Sequence, residues 1–375
     1  QVELVKRWGY PVEKHDVITK DGYILDLTRI PRGREDNRNI SRPVILLVHG
    51  LFASGTQWLL NPPDLSAGFI YADAGLDVFI ANMRGTTYGR RHLKMDPDTD
   101  NDFWKFSFDE MARYDLPAII DNTLNVSCED QLYLMGHSQG TLVAFLLLSN
   151  KPRYNSKIKK LFLMSPIATG HYIRGLAQLG VSFYFAFWPV TEAWRLRMGS
   201  QEILNHNHWV NKLIIAAGTT LCAPPVHEAC YDALYLIAGP PNFKHMNASR
   251  MDVYLSNFPA GTSTRNILHW GQITSREMVS RFDYNNPIEN NYGKLRPPVY
   301  NYSEIDVPMY TYWSRNDWLT TPVDIQKDFY PKLRKGIVKR AVEIPEFNHL
   351  DFAFSTTAAE RVYIPVLNII KEDME

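Results

Sequence analysis

The sequence predicts an α/β fold in which a mostly parallel central sheet, flanked by helices, is interrupted by a long insertion. Three observations predict it. Short apolar runs recur at 44–48 (VILLV), 77–81 (DVFIA), 131–135 (QLYLM) and 161–164 (LFLM), and resume at 307–313 (VPMYTYW) and 339–344 (KRAVEI). Short, mainly apolar runs without strict alternation have the character of strands buried on both faces. The segments between the early runs are long enough for crossover helices. The third observation is the gap: the 141 residues from Pro166 to Asp306 lack the pattern, whereas a crossover needs only about a dozen.

Taken in order, residues 17–30 alternate around Lys20-Asp21-Gly22, which reads as an antiparallel hairpin on an Asp-Gly turn. The runs at 44–48 and 77–81 open the parallel part of the sheet. The run at 131–135 leads straight into Gly136-His137-Ser138-Gln139-Gly140 and then TLVAFLLL (141–148). That is strand, sharp turn and helix, with a serine at the apex. A G-x-S-x-G turn in this setting is the nucleophile elbow of an α/β-hydrolase fold. The serine needs a strained backbone to project its hydroxyl, and the tight turn leaves room only for glycine two residues either side. The N–H of Gln139 falls at a helix N-terminus, where partial positive charge favours an oxyanion.

The expected organisation is a core formed by residues 1–170 and 301–375, with a cap over 171–300. The cap is irregular and rich in Pro, Trp and Tyr. Its FYFAFW run (183–188) has five aromatics in six residues. Such a cluster lines an apolar cleft, meets a lipid surface or packs the cap onto the core; packing is the expectation for any single ring.

A serine hydroxyl is a weak nucleophile at neutral pH and needs a base, itself oriented by a carboxylate. In this fold the chain order is Ser, acid, His, the last two lying in loops after late strands. Asp317 follows the run ending at Trp313, and His349 follows the last run. These two are the candidate acid and base. Asp306 precedes its strand, Asp324 and Asp328 fall in the following helix as solvated residues, and Asp351 opens the last helix in a capping role. His137 reads as a packing or hydrogen-bonding residue. The second oxyanion donor is expected in the loop after the first parallel strand, where Gly50 allows close approach and the N–H of Leu51 can face Ser138. Each such donor is worth on the order of 3 kcal/mol to a transition state.

Composition narrows the partners. Lys+Arg and Asp+Glu are both 40, so the net charge is zero. No basic excess suggests nucleic acid, and no polybasic run suggests an anionic membrane. The longest near-continuous apolar stretch, 181–190, falls short of the roughly 18 residues that span a bilayer, so no transmembrane segment is expected. No metal-ligand set is recognisable, His206-Asn207-His208 reading as surface or cap packing. There is no P-loop or dinucleotide fingerprint, so no cofactor is expected. The chain begins at Gln1 without an apolar leader, as a mature form would after signal-peptide removal. Of three cysteines, Cys222 and Cys230 are close enough in sequence to bridge, and Cys128 is expected as a small buried residue. Sequons at Asn39, Asn125, Asn247 and Asn301 lean toward the secretory pathway.

The strings HGLFASGTQW (49–58), GHSQGT (136–141), MDVYLSNFPAGTSTRNILHW (251–270) and NHLDF (348–352) resemble the acid lipases, the gastric and lysosomal lipases and their relatives. The likeness runs from Trp8-Gly9-Tyr10 to the C-terminal helix, and the cap string is its most diagnostic piece. The resemblance implies an α/β-hydrolase fold and a serine lipase acting on neutral-lipid esters, triacylglycerol or cholesteryl ester, at a lipid–water interface. It implies a triad of Ser138, Asp317 and His349 and an oxyanion hole at Leu51 and Gln139. It also implies a Cys222–Cys230 cap disulfide, a lid at about 210–239, and secretion or delivery to lysosomes. The competing expectations are a soluble carboxylesterase or thioesterase on the same fold, and a non-catalytic lipid-binding protein. Two departures stand out. The family's Trp-x-Gly-Gly-x-Asp approach to the acid is here Trp313-Ser314-Arg315-Asn316-Asp317, which removes glycine and sets a cation near the carboxylate. A cysteine usual late in the lid is replaced near Ala238.

Overall fold

The computed structural model describes residues 1–38, 40–187, 190, 199–204, 236–240, 246–247, 250–276, 278–284, 292 and 296–374, without the side chains at 184 and 185. The early strands show why the chain folds as it does. In β3 (Val44–Val48) every residue is buried, yet Val44, Leu46 and Val48 point into one apolar cluster while Ile45 and Leu47 point into another. Side chains alternate across a strand, so a continuous apolar run can only be satisfied by a sheet covered on both sides. Fully burying one such side chain stabilises by about 1.5–3 kcal/mol.

The covered sheet is built from β1 (Glu13–Ile18), β2 (Tyr23–Ile30), β3, β4 (Asp77–Ile80), the short β5 (Arg91–His92), β6 (Leu132–His137), β7 (Ile158–Met164), β10 (Met309–Trp313) and β11 (Val338–Glu343). Their spatial order is β1-β2-β4-β3-β6-β7-β10-β11, with β5 paired to β2. The β1–β2 hairpin is antiparallel, as Lys20-Asp21-Gly22 predicts, and β2 joins β4 antiparallel. From β4 to β11 every pairing is parallel. The α/β architecture with a mostly parallel central sheet is therefore the one observed. Two further strands, β8 (Glu202–Ile203) and β9 (Thr262–Ser263), pair with each other. Among the described residues, those between β7 and β10 add no strand to the main sheet.

On one face pack α2 (Leu116–Ser127) and α3 (Gln139–Asn150). The opposite face is covered by α1 (Ala67–Asp73) and α7 (Ile364–Lys371). In the stretch between β7 and β10 lie α4 (Gly175–Ala186), α5 (Met251–Asn257) and α6 (Thr264–Thr274). Ser263 caps α6, its hydroxyl accepting the Asn266 N–H at 3.0 Å.

Several expectations are met differently. Cys128 is exposed, not buried: it ends α2 in the left-handed region at φ +59°, and a helix end that must turn out to solvent carries its side chain with it. Phe183 and Phe187 are exposed (61% and 48%) with rings 4.4 Å apart, rather than packed onto the core. With Leu176, Leu179 and Val190 they are exposed apolar residues spaced three or four apart. Cys222, Cys230, His206, His208 and nearly all of the expected lid lie outside the described residues, as does Asn39. Asn125 and Asn301 are exposed and Asn247 is half-buried. No described helix is long and apolar enough to cross a membrane.

Candidate active site

Ser138 stands where β6 ends and α3 begins, with φ +52° and ψ −121°. A non-glycine residue held there costs of order 1–3 kcal/mol and persists only where its surroundings over-determine it. Here they do. A Cβ on Gly140 would lie 2.6 Å from the Val48 carbonyl oxygen, and one on Gly136 3.1 Å from the Gly140 carbonyl carbon. At Gly140 the contact with the neighbouring strand excludes a Cβ, while at Gly136 the elbow's own helix would have to give by a few tenths of an ångström.

The loops after β10 and β11 bring Asp317 and His349 to the serine. His349 Nε2 is 2.8 Å from Ser138 Oγ, and His349 Nδ1 is 3.0 and 2.9 Å from the two Asp317 carboxylate oxygens. A carboxylate only accepts, so Nδ1 carries the proton, and in the neutral ring Nε2 accepts from the serine hydroxyl. Asp317 Oδ1 also accepts the N–H groups of Leu319 (2.9 Å) and Thr320 (2.8 Å), which fix its orientation. All three side chains are largely buried, at 7%, 4% and 1% exposure for Ser138, His349 and Asp317.

The glycine-free approach to Asp317 is stabilised by side chains instead. Ser314 Oγ donates to the Phe347 carbonyl at 2.5 Å and Asn316 Nδ2 to the Pro345 carbonyl at 2.7 Å, tying the loop that carries Asp317 to the loop that carries His349. Arg315 does not bring a cation to the carboxylate: it is exposed and turned outward onto Glu343. Asp324 and Asp328 are buried, not solvated, because Thr169 donates to both and Thr321 to Asp324; burial raises the Asp324 carboxyl. Asp306 pairs with Arg334 at the surface. Asp351 opens a short helix, and its carboxylate accepts the Asn348 N–H at 2.8 Å.

The loop after β3 lies against Ser138. A Cβ on Gly50 would meet the Ser138 Cβ at 3.1 Å, which sets Leu51 beside the elbow. His49 holds this loop: its Nδ1 donates to the Gly50 carbonyl at 2.8 Å and its Nε2 accepts the Met83 N–H at 3.1 Å. Burial brings His49 down to about 4, so the ring stays neutral in that tautomer. His137 forms a hydrogen bond, as its sequence position suggested: Nε2 meets the His349 backbone carbonyl at 3.1 Å. Burial, with His349 nearby, lowers it to about 3.

Sequence reasoning missed two contacts. The Gln139 carboxamide oxygen accepts from Asn266 Nδ2 and Trp270 Nε1, both at 2.8 Å and both on α6. The Ala238 carbonyl accepts the N–H groups of both Trp318 and His349 at 3.2 Å. Asn266 and Trp270 fall within the diagnostic 251–270 string, but nothing in it shows which partner they meet. Among the described residues no group of His, Cys, Asp or Glu is arranged to hold a metal ion.

The α/β hydrolase fold family matches residues 43–356, and the partial α/β-hydrolase lipase region matches residues 1–62. Gastric triacylglycerol lipase of Homo sapiens is 39% identical over 375 residues, covering 99% of this chain and 90% of the relative. This chain belongs to the acid lipase family. It is an enzyme, a hydrolase of the lipase type. Another relative of this acid lipase, Lipase lipl-1 of Caenorhabditis elegans, is 38% identical over 378 residues, covering 99% of the chain and 91% of the relative. Among solved structures, a candidate lipase from Sulfolobus solfataricus is similar with a TM-score of 0.61 at 16% identity, covering 97% of this chain and 99% of that one. That likeness speaks for the fold alone.

Proposed function

We propose that this acid lipase hydrolyses neutral-lipid esters at a lipid–water interface, triacylglycerol first and cholesteryl ester as the further substrate class. Ser138 is the nucleophile, His349 the general base and acid, and Asp317 the residue that orients and stabilises the imidazolium. The N–H groups of Leu51 and Gln139 form the oxyanion hole. The observation that carries this reading is the unbroken relay from Ser138 Oγ through His349 to Asp317, with both links at 2.8–3.0 Å.

The steps follow from that geometry. As Ser138 Oγ bonds to the ester carbonyl carbon, its proton passes to His349 Nε2. The carbonyl electrons move onto oxygen, where the two backbone donors hold the negative charge. Collapse of this intermediate breaks the bond to the alcohol, which leaves with the proton from His349. Water then repeats the sequence on the acyl-Ser138, releasing the fatty acid and restoring the hydroxyl. The exposed apolar residues on and after α4 support the interface, since contiguous exposed apolar surface marks such contacts. We assign residues 171–300 to the cap, with a lid at about 210–239 bridged by Cys222 and Cys230. The sequons support secretion, or delivery to lysosomes.

The test is initial rates on emulsified long-chain triacylglycerol and on a cholesteryl ester from pH 4 to 8, with Ser138→Ala as control. Triacylglycerol turnover that disappears in a folded Ser138→Ala protein is the expected result. Turnover retained in that variant removes the nucleophile. Turnover confined to small dissolved esters removes the substrate class.

A further inference from the structure

An oxyanion donor works only if its N–H lies within about 2.7–3.1 Å of the place where the charge will develop. For Gln139, the residue that supplies this N–H also carries a side chain, and that side chain is gripped. Its carboxamide oxygen has two lone pairs, and both are used: Asn266 Nδ2 and Trp270 Nε1 each donate to it at 2.8 Å. Among the described residues the amide nitrogen makes one long contact, 3.5 Å, to the Met111 sulfur. The side chain's direction is therefore set from α6.

The grip is itself rigid. Asn266 is fully buried, its Nδ2 also reaches Thr262 Oγ1 at 3.0 Å, its Oδ1 accepts the Phe108 N–H at 2.9 Å, and its own N–H is held by Ser263 Oγ. Trp270 packs edge-on against Phe108, with ring centroids 5.3 Å apart. Buried carboxamides need partners wherever they occur. What distinguishes this one is that it belongs to the first residue of α3, so side chain and catalytic N–H pivot on one Cα, and that both donors come from a single helix 127 and 131 residues away in sequence.

We propose that Asn266 and Trp270 are positioning residues for ester hydrolysis: through the Gln139 carboxamide they hold the Gln139 N–H in register with the developing oxyanion. The inference rests on the mechanism proposed above, with Ser138 as the nucleophile and the Gln139 N–H as an oxyanion donor. It makes α6 part of the catalytic apparatus without any α6 side chain touching the substrate.

The test is a double-mutant cycle on the full chain with Trp270→Phe, Gln139→Leu and the double variant. Each is assayed for kcat and KM on a dissolved short-chain p-nitrophenyl ester and for the rate of inactivation by a p-nitrophenyl alkylphosphonate. Removing one neutral hydrogen bond in the support should lower kcat about 3–10-fold. KM should stay unchanged, and phosphonylation should slow by the same factor. In the Gln139→Leu background, Trp270→Phe should have no further effect, because its only route to the reaction is gone. Wild-type kcat in either single variant, or effects that multiply in the double variant, would overturn the proposal. If Trp270→Phe does not melt like the parent, Gln139→Leu alone decides, since full kcat there means the carboxamide anchors nothing. Failure of the underlying reading looks different: the phosphonate would not label Ser138 in the parent enzyme at all.

Discussion

Asp351 lies two residues beyond His349 and is fully buried. One carboxylate oxygen accepts the Asn348 N–H at 2.8 Å; the other is buried with no hydrogen-bond partner among the described residues. Burial pushes this carboxyl from its ordinary 3.8 up to about 7, and the nearby charges of Asp317 and Glu346 act in the same direction. The folded protein therefore binds a proton that the unfolded chain has already lost between those two values. Stability from this group is fully present below pH 3.8, falls as pH rises through that window, and levels off above pH 7. A shift of that size corresponds to about 4 kcal/mol between the two ends of the window. Asp351→Asn keeps an oxygen for the Asn348 N–H and cannot ionise, so it should lack this loss. Guanidinium unfolding of both proteins, followed by fluorescence of the nine tryptophans, gives their stability difference at each pH from 4 to 8. The comparison cancels the titrating groups that do not interact with Asp351, leaving this carboxyl and its coupling to Asp317 and Glu346. The variant should gain on the parent steadily with rising pH, by up to about 4 kcal/mol at pH 8. A difference that stays flat across the range, or that shrinks as pH rises, would refute the reasoning.

Two further substitutions probe the backbone of the site. Gly140→Ala forces a Cβ to within 2.6 Å of the Val48 carbonyl oxygen and 2.8 Å of the His49 one; strain of about 1–3 kcal/mol and a large loss of kcat are expected, read by thermal melting and ester hydrolysis. Gly239→Ala combines φ +132° with a Cβ 2.0 Å from the Asn316 carbonyl oxygen. It should displace the acid's loop and lower kcat at least tenfold, and a variant with normal kinetics would show that the chain at 238–240 is free to shift.

Much of the fold was legible because buried parallel strands have few ways to be written. The runs at 44–48 and 131–135 appear as the buried β3 and β6, with ends displaced by two residues at most, and the Asp-Gly turn gives the hairpin its place. The run at 339–344 appears as β11, but at the sheet edge with its residues half-buried or exposed rather than covered on both faces. The elbow was legible for a different reason: its chemistry requires particular residues at consecutive positions, so the pattern is local. Asp317 and His349 could be found from chain order, since each follows a late strand. Burial at Asp324 and Asp328 could not, because it depends on Thr169, over 150 residues away. The grip on Gln139 is equally non-local, and a polar residue in an amphipathic helix reads as solvated until its partner is known. Arg315 shows the reverse error: adjacency in sequence suggested an electrostatic neighbour, while the side chain left the site for Glu343.

The Ala238 carbonyl receives N–H groups from Trp318, one residue after the candidate acid, and from His349, the candidate base. The two halves of the relay thus share an anchor that is main chain rather than side chain. An anchor of that kind is indifferent to which side chain it carries, provided the backbone holds its course. Any residue that keeps this backbone course at position 238 can hold Asp317 and His349 in the same way. The demand on residue type falls instead on the neighbouring Gly239, whose conformation and crowding admit no side chain.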